Sequence, residues 1–188
     1  MSIFQLFVKS LYSLKSISLF RFQKIEKTIS YLFFLSFLVS LPSFILFFIM
    51  LLSNFQGGSN STIFGEALYG FDESQIIEMQ ETMSGMIPVF IFLSILFIYL
   101  AVAMLEFITV SLIAGLGLLF KKFLGRKLNY KQLWLMSAYS ATLPSVLIGF
   151  STLLPFSLPM PYLLYSVPSI LILFLAIRKV PIPKKQRH

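Results

Sequence analysis

IPVFIFLSILFIYLAVAMLEFITVSLIAGLGLLF, residues 87–120, is an apolar run containing a single formal charge, Glu106. As a helix rising about 1.5 Å per residue, a run of this length reaches about 51 Å, whereas the hydrocarbon core of a bilayer is about 30 Å thick. The segment therefore crosses a membrane with residues to spare. Either one long helix tilts and protrudes, or the helix breaks near Gly115 and Gly117 and leaves SLIAGLGLLFKKF, residues 111–123, on the membrane surface.

The rest of the chain agrees with a membrane setting. Of its 188 residues, 57% are hydrophobic and only 12% are charged, against about 25% charged in a soluble domain. Working outward from 87–120, three more apolar blocks appear. They are ISYLFFLSFLVSLPSFILFFIMLL at 29–52, QLWLMSAYSATLPSVLIGFSTLL at 132–154, and a shorter one at 162–177. Trp134 stands near the start of the third, where an indole suits the headgroup belt. Between the third and fourth, the link 155–161 carries Pro155, Pro159 and Pro161, which disfavour helix continuation. The sequence predicts an all-α polytopic fold with four transmembrane helices in one domain.

Charge placement sets the topology. The 15 Lys and Arg fall in three clusters: Lys9 to Lys27, Lys121 to Lys131, and Arg178 to Arg187. The segment 53–86 has Glu66, Asp72, Glu73, Glu78 and Glu81 but no basic residue. By the positive-inside rule, residues 1–28, the loop 121–131 and the tail 178–188 are cytoplasmic, and 53–86 lies outside. The net charge of +8 is thus explained by topology, with no nucleic-acid partner. Arg21, Lys24, Lys27, Lys121, Lys122, Arg126, Lys127 and Lys131 are the candidate contacts for anionic headgroups or a protein partner. Both termini are expected to be cytoplasmic.

Residues 3–17 place Ile3, Phe4, Phe7, Val8, Leu11 and Leu14 on one helical stripe. That pattern predicts an amphipathic helix lying at the interface or docked on the bundle. The opening residues lack an Ala-x-Ala site and are expected to stay on the mature protein.

Two spans share a short pattern, SLPSFIL at 40–46 and TLPSVLI at 142–148. Pro42 and Pro144 are expected at similar depths in spans of the same direction, as in a parallel repeat, or the match is a coincidence of Leu- and Ser-rich sequence. A proline inside a membrane helix frees a carbonyl four residues back, which neighbouring Ser or Thr can partly satisfy. Two kinked spans either frame a cleft or simply pack.

FRFQKIEKTISYLFFLSFLVSLPS at 20–43 and YKQLWLMSAYSATLPS at 130–145, in this order, resemble the DUF1189 membrane proteins of Gram-positive bacteria. Some members of that family carry a maltodextrin-utilisation label, and it is placed among Yip1-like four- or five-span proteins. The resemblance implies a Yip1-like plasma-membrane protein without an established reaction, and brings no catalytic set to these positions.

Glu106 is the sharpest candidate residue. A carboxylate facing lipid costs several kcal/mol, so it should face the bundle, a water-filled cleft or the cytoplasmic interface. Tyr99 and Thr109 on its own helix, or Ser137, Tyr139, Ser140 and Thr142 on the third span, are its expected partners. The alternatives are an ion, proton or ligand role, a structural hydrogen-bonded carboxylate, or an interfacial Glu near Lys121 or Arg126. The acidic loop could hold a divalent cation weakly but lacks the alternation of a calcium loop. Cysteine is absent and the one histidine, His188, ends the chain, so thiolate or histidine-based catalysis and cysteine-rich metal sites are excluded. With no phosphate-binding glycine loop or zinc-protease motif, the sequence predicts no enzyme and no cofactor. The expected roles are an accessory, scaffold or regulatory component with a protein partner or a second copy, or a small transporter using a cleft at Glu106.

Overall fold

A computed structural model describes residues 2–56, 73–154 and 159–181, with the side chains of 52–56, 73–85 and 87 outside the description. The described residues are helical and form no strand. The elements are α1 (Ile3–Tyr12), α2 (Leu14–Leu19), a single 3-10 turn at Phe20–Phe22, α3 (Ile25–Gln56), α4 (Glu73–Phe123), α5 (Tyr130–Ser140), α6 (Thr142–Ser151) and α7 (Pro161–Arg178). Four stretches are long and apolar enough to cross a membrane: Ile25–Leu51, Pro88–Phe123, Tyr130–Ser151 and Pro161–Arg178. The fold class and the number of spans are those expected.

The long apolar run is one continuous helix. α4 passes through Gly115 and Gly117 without a break, and only in part because the glycines are packed. A Cβ at Gly117 would stand 3.3 Å from Leu133 and Leu173 side chains, whereas at Gly115 it would meet nothing within 4 Å. In hydrocarbon no water competes for freed backbone groups, so a glycine is a weak reason to unwind. The excess length appears as protrusion: the helix begins at Glu73, beside Asp72, well ahead of the apolar run.

The third span is the centre of the bundle. It is the least apolar of the four, yet 67% of it is buried, against 6% for α4. Ser137, Tyr139, Ser140, Thr142 and Ser145 all lie inside, while Phe92, Phe97, Met104 and Leu112 of α4 face outward. Without a hydrophobic drive between helices in lipid, small and polar residues at the contacts provide packing and hydrogen bonds. The span is bent at Ala141, between α5 and α6, where Pro144 has no N–H to give the carbonyl of Ser140. Across Pro42, by contrast, α3 runs on unbroken.

The N-terminal segment is two short helices. Ser2 caps α1 reciprocally with Gln5, and Ser13 ends α1 and caps α2. Of the expected apolar stripe only one edge faces the protein. Ile3, Leu6, Phe7 and Ser10 turn inward, with Leu6 and Ser10 buried, while Phe4 and Tyr12 remain exposed. α1 packs against α3, α5 and α6, so the segment is docked on the bundle. Its exposed aromatic edge keeps it compatible with an interfacial position.

Gly149 is the closest point between α3 and α6. A Cβ there would stand 2.9 Å from Val39 Cγ1 and 3.1 Å from the Val39 carbonyl oxygen. This contact, with the hydrogen bond between Tyr31 and Thr142, fixes the relative height of the two parallel spans. Pro144 then stands level with residues 33 to 34 of α3, about 12 Å along the axis from Pro42. The expectation of equal depth is therefore corrected, because α5 starts well below α3 and the two spans do not align by their starting residues.

Candidate functional site

Glu106 points into the bundle although its neighbours Met104 and Leu105 are exposed; it keeps 6% of its surface. Its Oε2 accepts a 3.0 Å hydrogen bond from the Tyr165 hydroxyl of α7. Ser145, buried on α6, lies near both groups. Three of the four spans thus meet at one carboxyl group. Ser145 donates 2.8 Å to the carbonyl of Ala141, and Ser169 donates 2.7 Å to that of Tyr165. Each serine follows a proline, Pro144 or Pro168, and back-bonds to the carbonyl four residues before it, next to the carbonyl of Ser140 or Leu164 that the proline leaves without an N–H, an arrangement that favours a bend.

A second polar group lies one turn along α6 from Ser145. Tyr31 of α3 bonds to Thr142, and to Ser10 of α1 at 3.1 Å. Three residues earlier on each helix the roles are exchanged, with Thr28 bonding to the Tyr139 hydroxyl at 3.1 Å. The rings of Tyr31 and Tyr139 lie 4.7 Å apart, and Phe20 closes the other side of Tyr139 at 4.6 Å. Hydroxyl groups therefore line the interior from the end of the bundle that carries the basic clusters, hereafter the basic end, as far as the turn of α6 that carries Ser145, with no hydrogen bond joining the two groups among the described residues.

None of the partners expected for Glu106 pairs with it. Tyr99 reaches the Phe33 carbonyl, Thr109 that of Leu105, Ser137 that of Leu133 and Ser140 that of Met136, while Tyr139 and Thr142 belong to the second group. Tyr165 was missed because the fourth block was read only for length. Its signal was present in SVPS, residues 166–169, a third copy of the Ser/Thr-x-Pro-Ser pattern seen at 40–43 and 142–145. Pro42 and Pro144 are both buried but converge on no shared cleft. Two surface hollows of about 290 Å³ lie elsewhere, one at the basic end and one beside Phe120 and Phe174. Ser36 Oγ is buried without a partner among the described residues.

The basic candidates divide. Lys121 donates 2.8 Å to the Leu128 carbonyl and Arg126 donates 3.0 Å to that of Arg178, so these two knit the 124–129 loop to α4 and to the end of α7. Lys24, Lys122, Lys127 and Lys131 are exposed, whereas Arg21 and Lys27 are partly covered. Among the described residues no cluster of three or more His, Asp or Glu could hold a metal. The suggested cation site in the acidic loop, and His188, lie outside the described side chains.

The model of the DUF1189 family, described as a protein of unknown function, matches residues 4–64 and 59–177. The chain belongs to that family. No curated protein and no solved structure matches it.

Proposed function

We propose that this DUF1189 protein is a non-enzymatic accessory or scaffold component of a bacterial plasma-membrane assembly, with its termini in the cytoplasm. The observation that carries the reading is the closure of Glu106. Its carboxylate is held by Tyr165 and bordered by Ser145 in a packed interior, where it serves as a clasp between helices. A transport site needs binding that is favourable yet reversible, and a buried hydrogen-bonded junction suits positional rigidity better. The exposed α4 face and the basic end then offer surfaces for lipid and for a partner. Affinity purification in mild detergent from the native membrane tests this. A partner recovered reproducibly at fixed stoichiometry is the expected result. Recovery as a lone species that drives flux in pure liposomes overturns it.

The hydroxyl groups that line the interior from Ser10 to Ser145 favour one rival, a proton path ending at the carboxylate. In proteoliposomes with an internal pH dye, that rival expects uptake abolished by Glu106→Gln. Uptake equal to that of empty vesicles removes it.

A further inference from the structure

The hollow at the basic end is built by four separate segments of the chain. Arg21 and Phe22 come from the turn before α3, Lys127 and Leu128 from the loop after α4, Gln132 from the first turn of α5, and Val180 from beyond α7. Leu128 and Val180 are nearly fully buried and make its floor. Its polar edge is notable for what the protein leaves unused. The Arg21 guanidinium lies 4.5 Å from the centre of the Phe22 ring, and none of its N–H groups has an acceptor among the described residues. The Lys127 ammonium has none either. Gln132 commits only its oxygen, accepting 3.1 Å from the Asn129 N–H, which leaves its amide hydrogens free. Of the neighbouring basic groups, Lys121 and one terminal nitrogen of Arg126 are spent on backbone carbonyls, and Arg126 Nε is buried without a partner among the described residues.

We propose that this hollow binds the phosphate group of an anionic ligand, such as a phospholipid headgroup or free phosphate. A planar guanidinium, an ammonium and an amide, lining one hollow from different segments, supply the charge-assisted donors such a group accepts. The Phe22 ring, 69% exposed, and the apolar floor complement the carbon part of a lipid rather than of a bare ion. The basic end is also where anionic lipid is expected under the positive-inside arrangement. The site stands apart from the scaffold reading, since it needs only the contacts at the basic end.

The full chain is compared with R21Q/K127Q and with K9Q/K15Q, which removes the same charge from two exposed lysines of the same end. One arm uses nanodiscs of phosphatidylcholine with a minor fraction of phosphatidylglycerol and counts retained lipid by native mass spectrometry. The other titrates inorganic phosphate into protein in neutral detergent. R21Q/K127Q is expected to weaken binding by about tenfold or more, as loss of two charge-assisted bonds implies, and the control pair by about twofold or less. Arg21→Lys keeps the charge and loses the fork, and is expected to fall between them. Loss in the lipid arm alone identifies a headgroup, loss in the phosphate arm alone identifies a soluble anion, and loss in both shows that the phosphate group suffices. Equal weakening by the two double variants, or none by R21Q/K127Q in either arm, overturns the site. Arg21 and Lys127 make no hydrogen bond within the described protein, so thermal stability is expected to stay unchanged and serves as the folding control.

Discussion

The hydroxyl of Tyr165 donates a 3.0 Å hydrogen bond to Glu106 Oε2 and so joins α7 to α4 across the interior. A carboxyl group and a phenol that satisfy each other in the middle of a bundle make each the other's main reason for being there. Removing one leaves the other with nothing comparable in lipid.

Substitutions at this pair are expected to differ by what they orphan. Glu106→Gln retains an acceptor and costs under about 1 kcal/mol, whereas Glu106→Ala leaves a void and an unpaired phenol and costs about 2–4 kcal/mol. Tyr165→Phe should cost about 1–2 kcal/mol, and Glu106→Ala/Tyr165→Phe less than the sum of its parts. Thermal unfolding in detergent measures the series; strict additivity would show that the two residues do not interact.

Tyr31 is the hinge between the N-terminal helix and the bundle, through Ser10 on one side and Thr142 on the other. Tyr31→Phe is expected to cost about 0.6–1.7 kcal/mol, the range for interhelical hydrogen bonds in membranes. More specifically, it should loosen α1. The chain has no native cysteine, so a cysteine placed at half-buried Val8, which leaves the Ser10–Tyr31 bond in place, reports the loosening directly. Its maleimide labelling should accelerate in the Tyr31→Phe background, and an unchanged rate would place the anchoring of α1 in the apolar contacts of Ile3, Leu6 and Phe7.

The three helix glycines that face different surroundings give graded expectations. Gly149→Ala drives a methyl group into the Val39 backbone and should destabilise by about 1–3 kcal/mol. Gly117→Ala meets only leucine side-chain carbons and should be milder. Gly115→Ala enters open space and should be neutral or stabilising by up to about 1 kcal/mol. The order of melting temperatures checks this; a Gly115 variant as damaging as the Gly149 one contradicts the packing described.

The proposed orientation is testable by single cysteines on the cysteine-free chain. A residue such as Ser61 in the acidic loop should react with an impermeant maleimide in intact cells. One at Lys122 should react only after permeabilisation. The reverse pattern inverts the topology.

The spans and the clustering of charge could be read from the sequence because both are properties of composition along the chain. Lipid demands long apolar helices, and Lys and Arg mark their ends. The partner of Glu106 could not be read this way. Which side chain meets it depends on the rotation and height of α7 relative to α4, and these are set by contacts such as Val39 against Gly149 that no periodicity encodes. The depth of Pro42 and Pro144 failed for the same reason: counting from each span's first residue assumed that the spans start level. Gly115 and Gly117 left a continuous and a broken helix both open, and the continuous one is found, since a residue that tends to break helices in water has less power to do so where backbone groups have no other partner.

The exchanged pairs, Thr28 with Tyr139 and Tyr31 with Thr142, work like the teeth of a key. If α3 slides one turn along the third span, Tyr31 meets Tyr139 and two phenols contest the room of one. If it slides the other way, threonine faces threonine across a gap. Only one register satisfies both pairs, so sliding between these spans is blocked, and any motion left to the bundle must be a pivot about the narrow crossing at Gly149.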